Sequence, residues 1–198
     1  MNEILQLKIT LYETKPVIWR RLQVHKDMTF LELHIAIQIA MGWTNSHLFE
    51  FSINKTTLCL PNEEVDFDEE GDEKGFKTID ATNVTLQQFL NKPKQKFSYL
   101  YDFGDCWEHT VEIEKIVAQE TWFTYPMCMD GEMNCPPEDC GGVEGFYEKL
   151  KILEDKNHSE YKEVSTWLGK KYNPELFISE KANEELRKMD KWLERMYE

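Results

Sequence analysis

Three cysteines, Cys128, Cys135 and Cys140, form the densest group of chemically capable side chains in the sequence. They lie in a stretch that also holds Pro126, Pro136 and Pro137 and ends in Gly141-Gly142. Prolines stiffen such a segment and glycines let another backbone come close. The spacing Cys-x6-Cys-x4-Cys offers three soft donors in one loop, enough for three corners of a tetrahedral zinc ion. His109 is the candidate for the fourth corner, with Cys106 in reserve. Buried free thiols would leave the same trace in a sequence. Zinc on Cys128, Cys135, Cys140 and His109, and a set of packing thiols, therefore stand as two open readings.

Glu108-His109, together with Asp102 and Asp105, could supply acid–base chemistry. A carboxylate–imidazole pair still needs a nucleophile or a metal, and no Gly-x-Ser-x-Gly, His-Glu-x-x-His or phosphate-binding loop is present. A metal-assisted hydrolase using Glu108 or His109 is thus an alternative rather than the first reading. Asp102-Phe103-Gly104 has the letters of the kinase magnesium tripeptide without its context, and reads as a hairpin turn in which Gly104 takes a positive φ. His34 and Gln38, four apart on a helix, read as a polar edge, and His25, His47 and His158 as isolated histidines.

The elements that must position these residues are set out by hydropathy. Leu5, Leu7, Ile9 and Leu11 alternate with polar neighbours and predict a strand. Val17 to Val24 predicts its hairpin partner. Thr29-Phe30-Leu31-Glu32 is a capping box opening a helix that runs to Met41 and stops at Gly42. That helix is apolar around most of its circumference, so it must be covered on more than one side. Phe49, Phe51 and Ile53 give a third strand, Thr85 to Leu90 a short helix, and Phe97 to Phe103 with Trp107 to Ile113 a second hairpin. The expectation is an α+β roll or grasp-like sheet of about five strands carrying one long helix. A Cys/Pro/Gly-rich irregular loop and C-terminal helices follow, the last of them capped by Ser179. Residues 1–118 would be the roll and 119–198 an extension packed on it, in a single domain 1–198.

The chain has 198 residues, 41% apolar and 13% aromatic, and a formal net charge of −14. That composition supports a packed core. Eight carboxylates fall in the eleven positions from Glu63 to Glu73, which reads as an exposed, solvated loop. Its spacing does not follow the calcium-loop pattern. The charge opposes nonspecific binding to nucleic acid, leaving Arg20-Arg21 and Lys92 to Lys96 as the basic clusters. No apolar run is long enough for a membrane span, and the first residues lack a signal-peptide pattern. A cytoplasmic protein is the expectation, and that reducing compartment and the odd count of five cysteines both argue against a disulfide framework.

Four runs together carry a family likeness: Lys15-Pro16-Val17-Ile18-Trp19-Arg20-Arg21-Leu22; Leu33-His34 through Met41-Gly42-Trp43 to Ser46-His47-Leu48-x-x-Phe51; Tyr101-Asp102-Phe103-Gly104-Asp105-x-Trp107-Glu108-His109; and Cys135-Pro136-Pro137-Glu138-Asp139-Cys140-Gly141-Gly142. They resemble the Ri-plasmid ORF-three-like family over nearly the whole chain. The resemblance implies an α+β roll and association with plasmids and mobile elements, but no reaction. Cys106 stands where that family usually has glycine. The resulting expectation is a non-enzymatic binding module, with a protein partner favoured over nucleic acid by charge and the zinc site above as its optional staple.

Overall fold

The computed structural model describes residues 3–61, 67–68, 70–169 and 172–196. Its centre is one sheet of eight strands: β1 (Glu3–Leu11), β2 (Trp19–His25), β3 (Phe49–Ile53), β4 (Thr56–Cys59), β5 (Lys77–Asp80), β6 (Lys96–Tyr101), β7 (Trp107–Ala118) and β8 (Met127–Glu132). They lie in the order β5-β4-β3-β6-β7-β1-β2-β8. The β4–β5 pair is parallel and the other neighbours are antiparallel. The inward residues of the central strands, Leu5, Leu7, Ile9, Phe51, Tyr99, Trp107 and Val111, are fully buried.

Helix α1 (Phe30–Met41) opens with the expected capping box. Thr29 Oγ1 accepts from the Glu32 N–H at 3.2 Å, and the Glu32 carboxylate accepts from the Thr29 N–H at 2.6 Å. The helix ends at Gly42, whose φ of 97° is the left-handed cap. Every residue of α1 except Glu32 is buried, because the sheet covers one side and α4 (Ser179–Leu186) and α5 (Met189–Arg195) cover the other. Two further helices, α2 (Gly142–Glu154) and α3 (Tyr161–Leu168), pack on each other.

Eight strands replace the five expected. β4 and β5 are four residues each, too short for alternation to show. β8 lies inside the stretch read as irregular. It pairs with β2 on one side, and on the other Asn183 of α4 imitates a strand partner. The Cys128 N–H donates to Asn183 Oδ1 at 2.7 Å, and Asn183 Nδ2 donates to the Cys128 carbonyl at 2.9 Å, closing the sheet edge. The single C-terminal helix expected from Ser179 is two, broken at Arg187-Lys188, and the N-cap is Ile178 rather than Ser179. The short helix after Thr85 is one 3-10 turn, Leu86–Gln88.

The acidic run is only partly within the described residues, since positions 62–66 and 69 fall outside them. Asp68 exchanges backbone hydrogen bonds of 3.1 Å with Thr78 of β5, and Asp72 Oδ1 accepts from the Lys74 and Phe76 N–H groups. That end of the run is tied to the sheet and folded into a turn.

The β6–β7 turn differs from expectation in its strained residue. Gly104 is not at positive φ; Asp102 (58°) and Cys106 (53°) are. Asp102 Oδ1 accepts from the Gly104 N–H at 2.9 Å, so the carboxylate rather than glycine builds the turn. A cysteine held left-handed carries strain that glycine would not. Cys106→Gly is expected to leave the fold intact and raise unfolding free energy by up to about 1 kcal/mol, the αL penalty less glycine's extra chain entropy. Urea titration checks it, and a loss would show that the exposed thiol's 3.3 Å contact with the Phe103 carbonyl outweighs the strain.

Candidate metal centre and cleft

Three loops meet at one end of the sheet: the connection from α1 to β3, the β6–β7 turn, and the loop from β8 to α2. Trp43 of the first is buried and donates its indole N–H to the Pro136 carbonyl at 2.9 Å. Its ring lies 5.0 Å from that of Tyr101 and 5.8 Å from that of Trp107. The Glu138 carboxylate accepts from the Thr44 N–H (3.0 Å), the Thr44 hydroxyl (2.6 Å) and the Tyr101 hydroxyl. The third loop is also pinned to the second. The Gly141 N–H donates to the Asp105 carboxylate at 3.1–3.2 Å. Gly142 approaches so closely that a Cβ there would stand 2.5 Å from the Asp105 carbonyl oxygen. Side chains larger than hydrogen are excluded at that position, which accounts for Gly142, while Gly141 takes a positive φ of 86°.

This interlocking brings together His47, Asp102 and Asp139. His47 Nε2 lies 3.6 Å from Asp102 Oδ2 and 3.3 Å from Asp139 Oδ1, and the three ligand atoms are all within 4.8 Å of one another. Although His47 Nε2 is closed off from solvent, it makes no hydrogen bond within the described residues. Two donors each about 2.1 Å from one ion stand roughly 3.0–3.4 Å apart; the His47–Asp139 distance of 3.3 Å falls in that range, and the 3.6 Å to Asp102 is slightly longer. Asp102 and Asp139 both have φ of 58°, and neighbouring Asn45 has 61°. Left-handed non-glycine residues gathered at one place are strain of the kind that persists where surrounding structure enforces it.

Behind this loop junction a buried chain of hydrogen bonds fixes Asn45. The Tyr99 hydroxyl donates to His34 Nδ1 (2.8 Å), and His34 Nε2–H donates to Asn45 Oδ1 (2.6 Å). Gln38 Nε2 donates to the Tyr99 oxygen at 2.9 Å. His34 and Gln38 are therefore fully buried, not the polar edge expected from their spacing. Burial lowers the His34 imidazole to about 3, against the opposing hydrogen bond to Asn45.

His47 also lines a cleft of about 710 Å³. Leu48 and Phe103, each about half exposed, form an apolar lip, and Asn45, Ser46, Glu50, Thr57, Cys59 and Thr78 add polar groups. Burial pushes the Glu50 carboxyl and the Cys59 thiol upward, and for Cys59 the carboxylates of Glu50 and Asp80 add to the effect.

The candidates chosen by spacing are placed otherwise. Cys128, Cys135 and Cys140 are buried, and His109 is fully so. The Cys128 thiol is 3.5 Å from the Asp130 carbonyl and the Cys140 thiol 3.6 Å from that of Gly142. Burial lifts all three thiols, Cys128 to about 11 and Cys140 to about 12. His109 Nδ1–H faces the Tyr99 carbonyl at 3.3 Å, and burial lowers its imidazole to about 4. These four residues are not gathered into a ligand set; among the described residues the set of three donors is His47, Asp102 and Asp139. Glu108 and His109 cannot act together, because Glu108 is exposed on the opposite face of β7. Cys106 is exposed in the turn. His47, read as isolated, and Asp139 were missed because their partners come from segments far apart in the chain. The available signal was that each belongs to a run carrying the family likeness, and that these runs meet here.

Comparisons of sequence and of structure both find similar proteins. The chain is 38% identical over 170 residues to the uncharacterised protein y4hQ of Sinorhizobium fredii (strain NBRC 101917 / NGR234), covering 84% of this chain and 81% of that one. The crystal structure of a protein of unknown function, MM3350 from Methanosarcina mazei Go1, is similar with a TM-score of 0.79 and 31% identity, covering 91% of this chain and 97% of that one. The family model described as plasmid pRiA4b ORF-3-like protein matches residues 3–181, a span that holds all three loops, His47, Asp102 and Asp139. The chain belongs to the plasmid pRiA4b ORF-3-like family.

Proposed function

We propose that the protein binds a first-row divalent cation at His47, Asp102 and Asp139 and presents it to a small ligand in the adjoining cleft. The observation that carries this reading is the His47 imidazole nitrogen, without a hydrogen bond and 3.3 and 3.6 Å from two carboxylates. One imidazole and two carboxylates suit Mn²⁺, Fe²⁺ or Zn²⁺. Three protein donors leave coordination positions open, and Asp139 is 74% exposed, so solvent or ligand can reach the ion. A small ligand is preferred to the protein partner favoured by composition, because His47 and Glu50 line a concave cleft beside the two carboxylates. The net charge of −14 and a cleft whose described lining has no lysine or arginine disfavour nucleic acid. No helix in the described residues is long and apolar enough to cross a membrane.

The open positions favour a second reading, hydrolysis by metal-activated water, moved from Glu108 and His109 to this centre. Mn²⁺ is the informative probe, since thiolates favour zinc. Calorimetric titration of chelator-stripped protein is expected to show one Mn²⁺ site, weakened about a hundredfold or more in Asp102→Asn. Absence of Mn²⁺ binding at millimolar concentration would overturn the proposal. Zinc bound equally by Asp102→Asn and lost in Cys135→Ser would return the metal to the thiols.

A further inference from the structure

Glu50 occupies an unusual position in this cleft. Phe49, Phe51 and Ile53 of β3 turn into the core, leaving Glu50 on the opposite face, between Cys59 of β4 and Leu100 of β6. Its neighbours in the cleft are the hydroxyls of Thr57 and Thr78 and the thiol of Cys59, with Leu48 and Phe103 as walls. No lysine or arginine lines the cleft among the described residues. No ion pair or hydrogen bond within the described residues meets the Glu50 carboxylate. Half-buried in the cleft and uncompensated by any cation of its lining, the carboxylate is left to water or to a cation that enters from outside.

From this placement we infer that Glu50 recognises an ammonium group, so that the ligand of the cleft is a small primary amine whose carbonyl or carboxylate oxygen reaches the cation at His47. The inference rests on the cation reading above for the oxygen end of the ligand, and on Glu50 alone for the amine end. His47 and Glu50 line the same cleft, and its Leu48 and Phe103 walls offer apolar surface for a side chain. An amino acid, an amino amide or the first residue of a peptide has this chemistry. A phosphate ester does not, because the cleft supplies no cation besides the proposed metal. The raised Glu50 carboxyl fits the same picture, since burial penalises its charge until a counter-ion is present.

The test uses the full chain loaded with Mn²⁺ and two probes of nearly equal shape, L-phenylalaninamide and 3-phenylpropanamide, which lacks the amine. Calorimetry or NMR titration is expected to show the amine bound about tenfold or more tightly than its amine-free analogue, as a charge-assisted hydrogen bond requires. In Glu50→Gln that preference should disappear while Mn²⁺ affinity changes by less than about threefold, which also shows that the variant is folded. Equal affinities, no binding of either probe at 10 mM, or a preference that survives Glu50→Gln would each overturn the inference. If Mn²⁺ fails to bind but the Glu50-dependent amine preference persists, the cation reading falls and the role of Glu50 stands.

Discussion

Lowering the pH from 7 to 5 is expected to remove about 3–4 kcal/mol of unfolding free energy through His34 and His109 alone. Both imidazoles are fully buried and held neutral, His34 to about 3 and His109 to about 4. In the unfolded chain each titrates near 6.5. A group whose folded pKa is lowered contributes its full stability above the unfolded value. As pH falls below about 6.5 the unfolded state takes up the proton and the folded state does not, so stability drops by about 1.4 kcal/mol per pH unit for each histidine. The decline slows only as pH approaches the folded values. Glu50, raised by burial, works in the opposite direction and softens the slope at the acid end. Urea unfolding at pH 7, 6 and 5 measures the loss, and imidazole nitrogen shifts of the folded protein should stay neutral down to pH 5. Constant stability across that range, or folded-state titration near 6.5, would show that water reaches these rings.

The same two histidines mark how far a sequence can be read. Alternation placed β1, β3, β6 and β7, the short turn before it placed β2 as a hairpin partner, and the capping box placed the start of α1, because those signals are local. That α1 is apolar all round also foretold its cover on two sides. The polar residues within that helix were not placed, since His34 and Gln38 are satisfied by Tyr99 and Asn45, far along the chain. β8 was hidden by its cysteine, glycine and acidic letters, and it is a strand because β2 offers an unpaired edge and Asn183 covers the far side. The candidate site failed to appear for a similar reason. Spacing rewards ligands close in sequence, and so drew attention to Cys128, Cys135 and Cys140. His47, Asp102 and Asp139 come from three loops whose only common property is the Trp43, Glu138 and Asp105 contacts that lock them together.

Arg20 was read as part of a basic cluster, yet its side chain is 1% exposed and paired with no carboxylate in the described residues. Its Nε donates to the Ala40 carbonyl at 2.9 Å, and Nη1 donates to the carbonyls of Trp19 (2.8 Å) and Glu132 (3.0 Å). Ala40 lies in the last turn of α1, where the helix dipole presents its negative end. The Phe177 ring covers the guanidinium at 3.7 Å, and Nη2 has no partner among the described residues. Burial accordingly lowers the Arg20 pKa. Arg20→Ala is expected to destabilise by about 3–5 kcal/mol, through a cavity and carbonyls left without donors. Arg20→Met, which keeps the volume and removes the desolvated charge, should lose less, about 1–3 kcal/mol. The opposite strand adds an independent check. A Cβ at Gly131 would stand 2.5 Å from the Phe177 ring and 2.9 Å from Arg20 Cδ, so Gly131→Ala must displace the stack. Because a methionine can yield where the pinned guanidinium cannot, Gly131→Ala should be less harmful in the Arg20→Met background than in the wild-type chain. Strictly additive losses in that double-mutant cycle would mean that Arg20 is held by its carbonyl partners alone, with the Phe177 stack contributing nothing to its burial.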